Sequence, residues 1–337
     1  MAKYASIPDF IHDRILEKKR KLSSIGRLDS GKIKKIEERM QIDFVYNSNK
    51  IEGSTLSRGE TELILRGMTV GKKSIQEALA GKELGDILAA QNHPSAINLV
   101  KKIAFNKTYK ITEVDIKTLH KIAMDRIIAT AGSYREHDDL AVRGAGFTPP
   151  LFYDVPKQMK ELVHLINDNH DELRPIEHAA QVHYDFVWIH PFEDGNGRIA
   201  RLLMNLLLVR NGYPFTVIKQ VEKPKYLRTL KEMDISGNFE PFLVFVARSV
   251  EQTLDTYLAA LESKGKSQFL PLSVLAKGTP HSADYWSLLA RKGRIDAIKE
   301  GKTWKTTKQV IKTYLTEQDK NRENIKVSKK RGLHRQA

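Results

Sequence analysis

Apolar residues recur every three or four positions along most of the chain, the period of a helix with one buried face. Ile11, Ile15 and Leu22 set one such stripe. Ile33, Ile36, Met40, Phe44 and Val45 set the next, so residues 1 to about 90 read as helices. Gly53-Ser54-Thr55 interrupts the pattern. A further helix opens after it, with Ser57 as N-cap and Glu60 three residues on, the order of a capping box. Residues 111–130 and 156–170 are helical again. Between them, residues 141–153 carry glycines and Pro149-Pro150, and two short strands about Gly144 would pair as a hairpin. Residues 176–189 and 201–210 are strongly apolar helices, the second stopped by Gly212 and Pro214. Residues 243–261 close this helical body, and the polar stretch 263–267 links it to a separate small module.

Composition is that of a globular chain, 41% hydrophobic and 29% charged. A length of 337 residues suits two or three domains. No apolar run reaches membrane-spanning length, and the charged stretch at residues 1–21 lacks the apolar core of a secretion signal. Cysteine is absent, which removes disulfides, thiolate catalysis and Cys-based zinc sites. These features together lead us to expect a cytoplasmic enzyme without a membrane partner. The net charge is +15, and residues 264–337 hold 18 basic and 6 acidic residues, so about +12 of it sits there. Either a phosphate-rich partner or a solvated tail accounts for that excess.

The chemistry concentrates in His190-Pro-Phe-Glu-Asp-Gly-Asn-Gly-Arg-Ile-Ala-Arg201. An apolar helix ends at His190-Pro191, and a new one starts after Gly195-Asn196-Gly197. A glycine-containing loop feeding a helix N-terminus presents unpaired amides and a positive dipole end, which is an anion site. Arg198 and Arg201, three apart, share one face of the first turns and would clamp a polyphosphate. Asp194 could hold Mg²⁺, which takes one or two carboxylates beside phosphate oxygens. His190 is the group of the motif suited to base catalysis near neutral pH. A plain helix–turn–helix with surface arginines is the competing account. No GxxxxGK[ST] loop is present.

HPFEDGNGRIAR resembles the full signature of the Fic family, HxFx(D/E)GNGRxxR, without departure. Similarity extends over about residues 35–262. It includes Gly132-Ser-Tyr-Arg135, the 142–150 hairpin, residues 155–162, Ile176-Glu-His178, residues 202–208 and Asn211-Gly-Tyr-Pro-Phe215. The resemblance implies a mainly α fold, a helical core with a short β-hairpin flap. It implies AMP transfer from ATP to a Ser, Thr or Tyr hydroxyl of a target protein or of the chain itself. His190 would be the base, Asp194 the Mg²⁺ ligand, and the amides of Gly195, Asn196 and Gly197 the phosphate cradle. Arg198 would hold the α/β region and Arg201 the γ-phosphate, while Phe192 anchors the loop. The hairpin tip Gly144-Ala145-Gly146-Phe147 would pin the target segment by strand addition. Tyr226 would be an adenine neighbour or an ordinary core tyrosine. Two other readings stay open: the same site removing AMP or transferring another phosphate-containing group, and a DNA-binding regulator with a secondary Fic activity.

Ser48-Asn-Lys-Ile-Glu-Gly53 resembles the (S/T)xxxE(G/N) inhibitory motif of some Fic proteins. Glu52 would pair with Arg201 where the γ-phosphate belongs, Ser48 would tether its turn and Gly53 would end the helix. The alternative is a solvated Glu at a helix end. The resemblance also permits a homodimer. At residues 284–315 a helix ending at Gly293, a two-strand wing turning at Glu300-Gly301-Lys302, and a helix from Thr306-Thr307 resemble a small winged helix-turn-helix. Lys292, Arg294, Lys302 and Lys305 would face DNA phosphates, or the module serves protein contacts. The expected organisation is a helical region at 1–100 with the inhibitory motif, a catalytic domain at 101–262, a winged-helix-like module at 268–320 and a basic disordered tail at 321–337.

Overall fold

The computed structural model describes residues 6–26, 30–67, 79–138, 148–169, 172–261, 270–292, 294–295, 297–300, 303–308, 310–316 and 318. The expected flap at 144–147, the wing turn at 301–302 and the expected disordered tail lie outside the described residues. The chain forms two compact units, residues 1–254 and 255–337.

The first unit is helical: α1 (Asp9–Gly26), α2 (Ser30–Glu52), α3 (Arg58–Arg66), α4 (Leu84–Phe105), α5 (Glu113–Ala123), α6 (Val155–Asn167), α7 (Pro175–Ile189), α8 (Asn196–Arg210), α9 (Lys223–Ser236) and most of α10 (Glu240–Leu261). Local sequence sets several of these boundaries. Ser57 and Glu60 form the anticipated capping box of α3, Glu60 N–H to Ser57 Oγ at 3.2 Å and Ser57 N–H to Glu60 Oε2 at 2.7 Å. Thr112 and Asp115 cap α5 in the same way.

Several elements differ from the sequence pattern. Helix α5 stops at Ala123, short of residue 130, because Met124 turns into the core with no exposure. The following turn passes through a left-handed Arg126. Helix α6 stops at Asn167, whose side chain leaves the helix face to bracket both backbone groups of Ile111 at 2.8 Å. Helix α9 went unread, although Pro224 in its first turn and a left-handed Gly237 after its last are ordinary boundary signals.

Helix α8 is the axis of the unit. It packs on α7, α4, α5 and α2, and Ile199 to Leu208 is buried at every position. That explains its lack of a polar face: it touches neighbours on all sides.

Helices α1 and α10 are joined by a buried charge cluster. Glu251 accepts from Arg14, from Lys18 Nζ (3.2 Å) and from Arg248 Nη1 (2.8 Å), and its side chain is 2% exposed. Burial alone would raise this carboxyl, but the three cations hold it well below the usual carboxylate range.

The second unit carries β1 (Leu270–Pro271), α11 (Leu272–Leu275), α12 (Ala283–Arg291), β2 (Ile298–Glu300) and β3 (Thr303–Thr306), with residues 308 and 310–316 helical. The sheet has three strands where two were expected, in order β1-β3-β2, all antiparallel. Strand β1 is two residues long and carries Pro271, too little pattern to read from sequence. Trp286, fully buried, centres a core with Leu272, Leu289, Ile295 and Ile311. Lys292 and Arg294 are exposed and Lys305 is half-buried.

Replacing Glu251 with Ala removes the counter-charge of three cations and is expected to cost about 3–5 kcal/mol in urea unfolding near neutral pH. Because the folded pKa is depressed, the stabilisation is full above the unfolded carboxylate pKa and is lost as pH falls toward the folded one. The difference between wild type and Glu251→Ala therefore shrinks on acidification below about pH 4.

Candidate active site

His190 is the C-cap of α7 in the left-handed region, φ 50° and ψ 55°, a position more often taken by Gly or Asn. Pro191 follows and prevents continuation of the helix. Within the residue's ring, Nδ1 lies 3.1 Å from the Val187 carbonyl. Nδ1 therefore carries the proton it donates there, and Nε2 keeps its lone pair. Burial lowers the His190 pKa, so the ring is neutral at physiological pH.

The loop from Phe192 to Gly197 is fixed by its own side chains and by neighbours distant in sequence. Asn196 brackets Phe192, accepting from its N–H at 3.0 Å and donating to its carbonyl at 2.7 Å. The Asn196 side chain is thus spent on the loop, leaving its backbone amide for a ligand. Gly195 is left-handed at φ 79°, and a Cβ there would sit 2.7 Å from Met124 Sδ, so both conformation and space require glycine. The first amide of α8 with a partner at this end is that of Ile199, which reaches the Gly195 carbonyl at 3.0 Å. The amides of Asn196, Gly197 and Arg198 therefore point out of the helix end.

Glu52 occupies that end. Its Oε1 lies 2.6 Å from Arg201 Nη2, and a Cβ on Gly197 would be 2.5 Å from the same oxygen. The carboxylate rests directly on the helix N-terminus. Ser48, one turn earlier on α2, holds the guanidinium from behind: its Oγ accepts from Arg201 Nε at 3.0 Å and its carbonyl from Nη2 at 3.1 Å. Gly53, at φ 106°, ends α2. Glu52 is a third exposed, while Arg201 is 1% exposed.

Both arginines keep unused donors. Arg201 Nη1 and Arg198 Nε are buried with no hydrogen-bond partner among the described residues. Arg198 Nη2 is 3.2 Å from Asp194 Oδ2, and Asp194 Oδ1 accepts from the Gly195 amide at 2.6 Å. Asp194 is more than half exposed at the loop rim.

Tyr226 is 3% exposed, among His183, Phe242 and Phe245. Its hydroxyl is 2.9 Å from His183 Nε2 and within interaction range of Arg201. Burial pushes the phenol up to about 12 and holds His183 down at about 3. With His183 neutral, Tyr226 donates to Nε2 and turns its oxygen lone pairs toward the guanidinium. The residue stands behind Arg201, with its ring in the core.

Sequence reasoning missed two residues here. His120 stacks flat on Phe192, 3.6 Å between centroids at 3°. Its Nδ1 accepts from the Gly132 amide at 2.8 Å, which leaves Nε2 protonated to donate to the Asp194 carbonyl at 3.0 Å. Burial holds its pKa at about 4, so this tautomer persists. Arg135, 3% exposed, donates to the His190 carbonyl at 2.9 Å, to Asp138 at 2.7 Å and to the Pro150 carbonyl. It ties the His190 turn to Asp138 and Pro150. Neither residue lies near the loop in sequence; the isolated signals were a His on the apolar face of a helix and the Arg of Gly-Ser-Tyr-Arg.

His120→Ala is expected to cost about 2 kcal/mol or more in stability. Faster amide exchange at Gly132 and across 194–197, with α9 unaffected, would check that His120 supports the loop.

Residues 110–208 match the model of the Fic/DOC family. The chain is 35% identical over 250 residues to the protein adenylyltransferase Fic of Culex quinquefasciatus, covering 74% of this chain and 47% of that protein. It is 36% identical over 251 residues to the protein of that name from Nematostella vectensis, covering 74% and 56%. The chain thus spans about half the length of the curated relatives it matches. A Fic domain containing signaling protein from Bacteroides thetaiotaomicron has a similar structure, with a TM-score of 0.67, 29% identity, and coverage of 75% of this chain and 99% of that one. Fic-1 from C. elegans superposes with a TM-score of 0.62 at 26% identity, covering 76% of each chain. The loop, His190 and both arginines fall inside the matched segment, and the chain carries a Fic/DOC family domain at residues 110–208.

Proposed function

We propose that the chain transfers AMP from ATP to a hydroxyl of a protein and that Glu52 restrains it. The observation that carries the reading is the pairing of a free His190 Nε2 with an anion cradle of unpaired amides and two buried guanidinium groups with spare donors. The names of the curated relatives support it. Phosphoryl chemistry of this kind requires positioning, charge neutralisation and a base.

The steps follow from the atoms available. Nε2 takes the proton of the acceptor hydroxyl, whose oxygen forms a bond to the α-phosphorus. The bond to the bridging oxygen breaks, and pyrophosphate leaves with the electron pair. The amides of Asn196 and Gly197 and the spare donor of Arg198 meet the phosphate oxygens, and Arg201 meets the terminal phosphate. Asp194, an exposed carboxylate at the rim, suits Mg²⁺, whose role when bound is to neutralise phosphate charge. Glu52 and the terminal phosphate need the same guanidinium and the same volume above Gly197, so ATP in its productive pose and the inward Glu52 exclude each other.

Two measurements test this. With Mg²⁺ and α-³²P-labelled ATP, Glu52→Gly is expected to label protein about ten- to a hundredfold faster than wild type, the worth of one charge-assisted contact. His190→Ala in that background is expected to lose on the order of a hundredfold or more. Equal labelling by wild type and Glu52→Gly removes the brake; persistent labelling in His190→Ala removes the base. In the pH profile of kcat/KM, the depressed His190 pKa keeps the base neutral down to below pH 6.5, its ordinary value. Activity is therefore flat through pH 7 and falls only at lower pH; an acid limb above 6.5 contradicts the assignment.

A further inference from the structure

A recess of about 430 Å³ lies between α6 and α7, outside the loop and its cradle. Its polar lining is Gln158, Glu161, Asp185 and Trp188. Its apolar floor is Leu162, Leu165 and Ile189. The carboxylates and amide oxygens of this lining lack counter-groups among the described residues. Glu161 and Asp185 have no ion-pair partner among the described residues. Asp185 Oδ1 accepts from Gln181 Nε2 at 2.7 Å, and Oδ2 has no donor among the described residues. Gln158 Oε1 and Gln181 Oε1 are buried acceptors without a donor, and Gln181 is 5% exposed. Burial pushes the Asp185 carboxyl up to about 6, with no cation paired to it among the described residues.

The chemistry of a ligand follows from that lining. Two carboxylates repel an anion. An apolar group would leave the acceptors unpaired, at the cost of burying them unsatisfied. Two carboxylates among amide oxygens are too few hard ligands for a divalent cation cage, and no three His, Asp or Glu residues cluster among the described residues. A positive group with several N–H donors on an aliphatic stem meets every requirement. The methylenes lie on the leucines and Ile189, and the charge reaches the carboxylates with the Trp188 ring alongside.

Position supplies the source. Trp188 and Ile189 immediately precede His190 on the last turn of α7. The recess therefore lies within two residues of the group proposed to take the acceptor's proton. We propose that the recess is a subsite for a lysine or arginine side chain of the protein whose hydroxyl is modified, close in sequence to the acceptor. This rests on the AMP-transfer reading above.

The test uses full-length Glu52→Gly protein, Mg²⁺ and α-³²P-labelled ATP on a peptide array. Each peptide holds one Ser, Thr or Tyr, with Lys, Arg, norleucine or Glu walked through the flanking positions. A basic residue at one register is expected to raise kcat/KM about tenfold over norleucine, as one charge-assisted contact would. Within each variant the Lys-to-norleucine ratio is then compared. It is expected to fall toward one in Asp185→Asn and in Glu161→Gln, the latter at an exposed position that tolerates the change. Added spermidine separates a free polyamine from a side chain: equal suppression of every peptide, without register preference, assigns the recess to the free cation and overturns the proposal. A flat array, self-labelling with no peptide labelled, or a preference that survives both substitutions also overturns it. Absence of label on any peptide and on the protein itself overturns the AMP-transfer reading, and the subsite with it.

Discussion

A guanidinium with almost no solvent exposure cannot stay unpaired, and the arrangement of the first unit follows from that need at Arg201. Helix α8 buries the side chain in the middle of the bundle. Helix α2 answers with Ser48 and Glu52, one turn apart, so that a hydroxyl, a carbonyl and a carboxylate converge on one cation. Tyr226, itself bonded to His183, turns its hydroxyl toward the guanidinium. Ser48 holds the guanidinium independently of Glu52, whose carboxylate fills the space above Gly197. On the AMP-transfer reading proposed above, a phosphate would be the replacement, because it too is an anion that accepts from a guanidinium.

The loop is held in place by contacts that do not involve Glu52. Asn196 fixes its two ends to each other, His120 fixes it from below through a ring stack and a backbone bond, and Met124 fills the space that a side chain on Gly195 would need. None of these groups has to move for a ligand to meet the amides of α8. Preorganisation of this kind removes the reorganisation cost from the reaction itself.

How much of this was legible in the sequence depends on the range of each interaction. The loop was readable because its residues are contiguous: histidine, carboxylate, glycines and arginines fall within twelve positions. Helices with strong stripes and caps, such as α3 and α7, were readable for the same reason. Glu52 lies 149 residues from Arg201 and was reached only through resemblance to a known motif. His120 and Arg135 act on backbone carbonyls 74 and 55 residues away, contacts that leave no local trace. Tyr226 allowed two environments, and the depth of its ring follows from the packing of α9 and α10 against α7, which no single segment encodes. The third strand of the C-terminal sheet depends on pairing across 34 or more residues.

His190 holds a backbone conformation that a side chain rarely adopts, at φ 50°. Such a residue stores about 1 kcal/mol or more of strain, and the surrounding turn supplies the free energy that keeps it there. Selection for stability and selection for chemistry therefore pull this position in opposite directions. A glycine would relax the turn while deleting the proposed base. In a lineage where the reaction ceased to matter, drift would be expected to erase the histidine early and keep the loop, so a decayed copy would look well folded and nearly intact.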